Sequence, residues 1–512
     1  MSTPIPNQVE PSGLSVVAPV DGNPPPFDTT MGHPRPLWML FMTEFWERFA
    51  FYGIRWAFVL YVVAQFYDGA ATGEAPAGKL YGAYLALVYA GAIFGGYVAD
   101  KILGYQRSIL LGAVFMTAGL FMIAIPSEHV FKLGLATVIV GNGMFKPIIS
   151  TLVGKLYATG DARRDSGFTI FYMGINSGAF IAPIITQYLA KNVFGVDNMP
   201  AYKIVFIASG IGMILSFLWF WFGRAKLKGI GLPNPGNESI SRIAAVVAGA
   251  LCAIPLFYFL LTIPASALQW YVLAPMFAAL CVLLLVEGIR NGAVARDKVI
   301  AMLVIFLFNI LFFMFFEQAG SSFTFLADKI VNRDLGFVQF ENAWFQSVNS
   351  VAIIVMAPII AWIWMRMGRA NPSIPRKFAL GIIFNGLAFL LLMYALASLV
   401  DIDTGKIPFW TLFAVYWIQS IGELCLSPVG LSMTTKLAPE KLVGFGMGGW
   451  FLSTGIGNNL SGLFAAEASG EGGMTVASAH SAYTSGFWIL MIGGVALFLL
   501  SPLIQKLMHG VK

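Results

Sequence analysis

TEFWERFAFYGIRW, residues 43–56, places two glutamates, two arginines and a tyrosine inside the first long apolar run of the chain. Glu44, Glu47, Arg48, Tyr52 and Arg55 recur at three- and four-residue spacing. At 100° per residue they fall within an arc of about 140°, so one helix face carries them all. Glu44 and Arg48 form an i,i+4 pair of opposite sign, with Tyr52 one turn further on. A structural ion pair would not need four charges on one stripe. Such a face lines a watery path or meets other charges.

The rest of the chain shows what surrounds that stripe. Of 512 residues, 58% are hydrophobic and 11% charged, against about 25% charged in a soluble domain. Lipid is the natural solvent for this composition. The net charge of +6 is spread singly or in small groups between apolar runs, which excludes a nucleic-acid-binding patch. Cys252, Cys281 and Cys425 each lie within an apolar run, without metal-ligand spacing, and read as small buried hydrophobes. Neither metal nor cofactor is expected. Residues 1–36 hold nine prolines and no signal-peptide core, so a disordered tail is expected there, with insertion through the first spanning helix.

A spanning helix needs about 20 mostly apolar residues, and about fourteen runs of that size follow the tail. They lie near 37–67, 80–103, 108–125, 132–157, 166–190, 202–222, 241–262 and 269–287. The remaining six lie near 298–326, 341–367, 377–398, 409–436, 441–465 and 484–508. With both termini inside, Lys79, Lys132, Lys191, Lys203, Lys329, Arg333 and Lys406 face outward, and Arg48, Arg55 and Lys146 lie within the membrane. Removing these ten from the 31 basic residues leaves 21 on the cytoplasmic side. That three-to-one bias is the one cytoplasmic loops carry, and an odd number of spans would scramble it.

Four acids, Glu44, Glu47, Glu317 and Glu423, share membrane depth with the three cations. Each such charge costs on the order of 2.5–3.5 kcal/mol, so seven isolated ones would cost roughly 20 kcal/mol. Lys146 sits in GNGMFKP, where glycine and proline let a neighbouring helix approach. Glu423 stands in IGELCLSPVGLS and Glu317 in FFMFFEQAG. Arg55 and Lys146 thus belong to the first half of the chain, Glu317 and Glu423 to the second. A substrate with a carboxylate at one end and an ammonium at the other would bridge them. No predicted span holds a histidine, so proton coupling falls to the carboxylates Glu44, Glu47 and Glu317.

At these residues the chain closely resembles the proton-dependent oligopeptide transporter family. Glu44, Glu47, Arg48 and Phe49 reproduce its ExxERF motif. FYMGINSGAFIAP (171–183), GGYVADKILG (95–104) and ELCLSPVGLSMTTKLAP (423–439) look like three further signatures in the same order. The resemblance runs from residue 37 onward. It implies an all-α membrane protein of the major facilitator fold: a six-helix half over 37–222, a linker over 223–297 carrying an extra transmembrane hairpin, and a second six-helix half over 298–512.

The resemblance further implies import of di- and tripeptides with protons across a plasma (inner) membrane, by a chain working as a monomer in lipid. Arg55 and Lys146 would receive the peptide carboxylate and Glu423 its amino group. Glu317 would pair with Arg55 in a protonation-sensitive bridge, with Glu44, Glu47 and Arg48 sharing in the coupling. Tyr52, Tyr89, Asn176, Asn349 and Trp450 would occupy or border the pocket. Asp100, Lys101 and Arg107 would form a cytoplasmic gate, with 141–147 and 444–449 as flexing points. Phe51 departs from the tyrosine common in relatives, and Ser177 from an aliphatic residue.

Plant relatives that carry nitrate make a small anion the alternative substrate, but a simple anion would leave Glu423 without a counter-charge. A membrane-embedded enzyme would want a nucleophile and base or a metal cluster within the spans, and the runs hold neither. A sensor would add a soluble domain, for which loops of about twenty residues are too short.

Overall fold

The computed structural model describes residues 24–158, 160–196, 199–233 and 239–511. In lipid every backbone polar group must be satisfied within its own segment, and helices do this. The first half comprises α1 (Arg35–Arg55), α2 (Phe58–Phe66), α3 (Glu74–Val98), α4 (Tyr105–Ile123), α5 (Glu128–Gly154), α6 (Arg164–Tyr188) and α7 (Tyr202–Gly223). Then come α8 (Ile240–Thr262), the single turn α9 (Ala265–Ala267) and α10 (Ala274–Arg290). The second half comprises α11 (Ala293–Phe316), α12 (Ser322–Lys329), α13 (Trp344–Met367), α14 (Ile374–Ser398), α15 (Phe409–Leu437), α16 (Val443–Ser469) and α17 (Val476–Leu507).

Among the described residues, 12 helices are long and apolar enough to cross a membrane, and the bent pair α1–α2 makes 13. The remaining run of the fourteen expected, α16, has 27 residues but is rich in Gly, Ser and Asn. The reason is its position. It packs along α3 and α11, with further contacts to α15 and α17, so little of it needs to suit lipid. A Cβ on Gly82 of α3 would stand 2.7 Å from the Asn458 carbonyl oxygen and from Gly462 Cα of α16. Only small residues allow two backbones this close.

The halves meet along α3–α16 and α6–α13. Ser347 on α13 donates to the Phe180 carbonyl on α6 at 2.7 Å. Lys191 Nζ, just past α6, reaches Glu341 Oε1 ahead of α13 at 2.6 Å. At the same end Glu74 pairs with Lys329 and accepts the Met474 backbone N–H at 2.8 Å. Ion pairs thus fasten the halves together at the end that carries the α2–α3 turn.

The hairpin α8–α10 lies outside this core. Only 11% of the most apolar stretch of α8 is buried, and 22% of that around α10, so lipid covers most of both. Three hydrogen bonds join it to the core. His129 Nδ1 and Tyr258 Oη lie 2.8 Å apart, joining α5 to α8. Asn459 Nδ2 on α16 donates to the Ala265 carbonyl at 2.9 Å and to Gln269 Oε1 at 3.0 Å.

Part of the expected N-terminal tail takes up regular structure. β1 (Thr29–Thr30) and β2 (His33–Pro34) pair around Met31 and Gly32, both with positive φ, as a two-residue hairpin turn requires. The hairpin is held by His33 Nδ1 at 2.8 Å from Tyr157 Oη and by Arg163 donating to the Gly32 carbonyl at 3.1 Å. Hydrogen bonds from the Arg163 guanidinium hold the Asp161 carboxyl down at about 2, so that pair stays charged well below neutral pH. The expected tail over residues 1–23 lies outside the described residues, as does Lys512.

Candidate functional site

Two helix breaks define the site. α1 and α2 meet at a 45° bend immediately after Arg55. α11 gives way at Glu317 to a 3-10 turn, Glu317–Gly320, before α12 resumes. The first long helix of each half is therefore interrupted at a charged residue, and interrupted helices at membrane depth mark substrate and ion sites. Arg55 ends α1, where the helix dipole favours a cation. Its Nη2 donates to Glu317 Oε2 at 2.7 Å. Both residues are 8% exposed, so the pair is shielded from bulk water. Tyr52 lies under the guanidinium, its ring centre 5.7 Å from Arg55 Cζ.

Two to three turns back along the same face is a second cluster. Glu44 and Glu47 are fully buried and Arg48 nearly so. The close partner of Arg48 is its neighbour Glu47, held by both Nε and Nη2. The i,i+4 contact to Glu44 read from the spacing is longer, 3.4 Å. Lys146 Nζ on α5 donates to Glu44 Oε1 at 3.0 Å. Glu44 Oε2 is buried without a hydrogen-bond partner. The glycines ahead of Lys146 serve close approach: a Cβ on Gly143 would stand 2.8 Å from the Gly91 carbonyl oxygen of α3. This brings α5 near enough for the lysine to reach α1.

In the second half, Glu423 on α15 accepts from Asn349 Nδ2 at 3.1 Å, and the same amide donates to Ser420 Oγ at 2.9 Å. Among the described residues Glu423 is the one intramembrane carboxylate of the four without a basic group within 4 Å.

The other candidate residues divide by surroundings. Tyr89 is half-buried on α3, its ring stacked 6.4 Å from that of Phe451. Asn176 is 5% exposed and its amide donates to the Tyr172 carbonyl of its own helix at 2.9 Å. Trp450 is buried in the second half against the rings of Phe306 and Phe378. Asp100 and Lys101 lie in a π-helical turn, Ala99–Leu103, where Asp100 accepts from the Tyr105 hydroxyl. Arg107 follows in the first turn of α4. The three stand away from the Arg55–Glu317 pair, at the opposite end of α3 from Glu74.

Several residues beside the site lie outside the candidates that the sequence offers. Tyr81 and Tyr416, on α3 and α15, are buried close to Arg55. Gln346 is 6% exposed and donates to the Ala319 carbonyl beside Glu317. Gln346 had a signal, since it stands one helical turn before Asn349. The pairs Lys191–Glu341 and Glu74–Lys329 had none, because their members look like ordinary loop and helix-end charges.

Comparison with known proteins places this geometry. The sequence model described as POT family matches residues 106–470. The chain is 32% identical to the Di-/tripeptide transporter of Lactococcus lactis subsp. cremoris, over 94% of this chain and 98% of that one. It is 32% identical to the Peptide transporter YePEPT of Yersinia enterocolitica, over 86% and 89%. A crystal structure of a peptide transporter POT in complex with alafosfalin superposes with a TM-score of 0.80, at 31% identity, covering 96% of this chain and 98% of that one.

Proposed function

The chain belongs to the POT family, and from that footing we propose that it is a symporter carrying di- and tripeptides inward together with protons. It is an integral membrane protein and a transporter rather than an enzyme. The observation that carries the reading is Glu423: a carboxylate at membrane depth, steadied by Asn349, with no cation beside it. A group placed so suits a peptide ammonium. Arg55 and Lys146, on the first half, suit the peptide carboxylate, but each is engaged by a glutamate.

That engagement supplies the coupling. A proton on Glu317 removes the charge that holds Arg55, and a proton on Glu44 does the same for Lys146. Each cation then takes the substrate carboxylate instead. Glu47 keeps Arg48 paired while this happens. Tyr52 borders the carboxylate end. Tyr89, Asn176 and Trp450 border or support the pocket walls. Both helix breaks let the halves rock about the bound peptide, with the Lys191–Glu341 and Glu74–Lys329 pairs opening at the outer end. Asp100, Lys101 and Arg107 act at the inner end. Both termini are cytoplasmic in this scheme, the chain works as a monomer, and the unpaired Glu423 disfavours a simple anion as substrate.

Counterflow exchange tests the substrate half of the proposal without a gradient. Liposomes loaded with unlabelled di-alanine should take up labelled di-alanine, and N-acetylated di-alanine should compete poorly. Equal competition by the N-acetylated form would refute the role of Glu423.

A further inference from the structure

Behind the Arg55–Glu317 pair lies a small cavity bounded by Arg55, Gln346, Asn349, Tyr416 and Gln419. The centre of a water-sized sphere can move through about 10 Å³ of it, which is the room of a single water molecule. Two of the lining residues carry a buried side-chain atom without a hydrogen-bond partner: Arg55 Nε, a donor, and Gln346 Oε1, an acceptor. These residues are 8% and 6% exposed. The amide of Gln346 is fixed from its other end, because Nε2 donates to the Ala319 carbonyl and lies 3.5 Å from Tyr416 Oη. The Tyr416 hydroxyl donates to the same carbonyl at 3.3 Å.

A water both accepts and donates, and buried waters sit where two to four otherwise unpaired polar groups converge. Leaving a charged donor and an amide oxygen unpaired in a dry interior is the costlier arrangement. We infer that this cavity binds one water molecule, which accepts from Arg55 Nε and donates to Gln346 Oε1. The water gives Arg55 an acceptor that does not depend on Glu317. Gln346 becomes a positioning residue: by holding the water, it eases the moment when Glu317 takes a proton and lets the guanidinium go. This role rests on the proton-coupling reading of the pair. The ionisable groups facing the pair are Tyr52 on α1, Tyr81 and Tyr89 on α3, and Tyr416 and Glu423 on α15.

The test has a structural and a functional part, both on the full chain. A structure at a resolution that shows ordered solvent should place one peak within hydrogen-bond distance of Arg55 Nε and Gln346 Oε1, and none there in Gln346→Met. Without the water, Arg55 loses an acceptor other than Glu317, and the pair is harder to open. The pH of half-maximal proton-driven uptake in Gln346→Met should therefore fall by about one unit, with counterflow exchange retained. No solvent peak in the wild-type chain, or a variant whose pH profile coincides with wild type, overturns the inference. Uptake by Glu317→Gln that stays proton-driven would instead sink the coupling reading, while a wild-type solvent peak would still stand.

Discussion

Arg55 and Glu317, 262 residues apart in sequence, meet at 2.7 Å, each at the point where the first long helix of its half breaks. The two halves are thus tied at their centre by a buried ion pair. A buried pair of this kind is poor evidence for stability, because desolvation offsets most of its attraction. It is better suited to a switch, in which one partner changes charge and the other changes partner.

Glu423→Gln keeps the shape of the site and the Asn349 contact but removes the charge offered to an ammonium. A charge-assisted hydrogen bond contributes about 1.5–3 kcal/mol, so the KM for di-alanine should rise roughly 10- to 100-fold. The preference over N-acetylated di-alanine should shrink by a similar factor. Competition assays in liposomes measure both.

At the end that carries the α2–α3 turn, Lys191 and Glu341 join the halves at 2.6 Å, with Arg333 4.0 Å from the other Glu341 oxygen. Lys191→Glu alone should destabilise the outward-closed arrangement, and adding Glu341→Lys should restore part of it. Spin-label distances between the outer ends of α6 and α13 would show a larger outward-open population in the single variant. Identical distance distributions in wild type and Lys191→Glu would remove this pair from the gate.

Gly82→Val inserts a side chain where the Asn458 carbonyl and Gly462 leave 2.7 Å. Overpacking of this order costs about 1–3 kcal/mol, and here it also pries α3 from α16 at the seam between the halves. The detergent-solubilised variant should melt several degrees below wild type by intrinsic fluorescence. Gly96→Ala, at a position with open space around it, should melt like wild type.

Much of the fold was legible because lipid imposes a simple rule: apolar runs of spanning length become helices. α16 was found by the same reading, but its Gly, Ser and Asn content is explained only by its burial along α3 and α11. The stripe Glu44–Arg55 was legible because helical periodicity puts all of it on one face. Local spacing gave the Glu44–Arg48 ion pair, 3.4 Å apart in the structure, but not the closer partner of Arg48, its neighbour Glu47. Gln346, Tyr81 and the ion pairs at the α2–α3 end were not legible, because their meaning comes from partners that the fold brings from the other half or from a distant helix. Trp450, expected to occupy or border the pocket, is buried against the rings of Phe306 and Phe378.

The central claim is that protons drive peptide accumulation through the Arg55–Glu317 bridge. The most direct measurement is uptake of labelled di-alanine into liposomes, with and without an inward proton gradient, for wild type and Glu317→Gln. The account predicts gradient-dependent accumulation by wild type. It predicts at least a tenfold loss of that accumulation in Glu317→Gln, roughly the effect of removing about 1.4 kcal/mol of coupling or more, with counterflow exchange preserved. Accumulation in Glu317→Gln equal to wild type and still dependent on the gradient would contradict it.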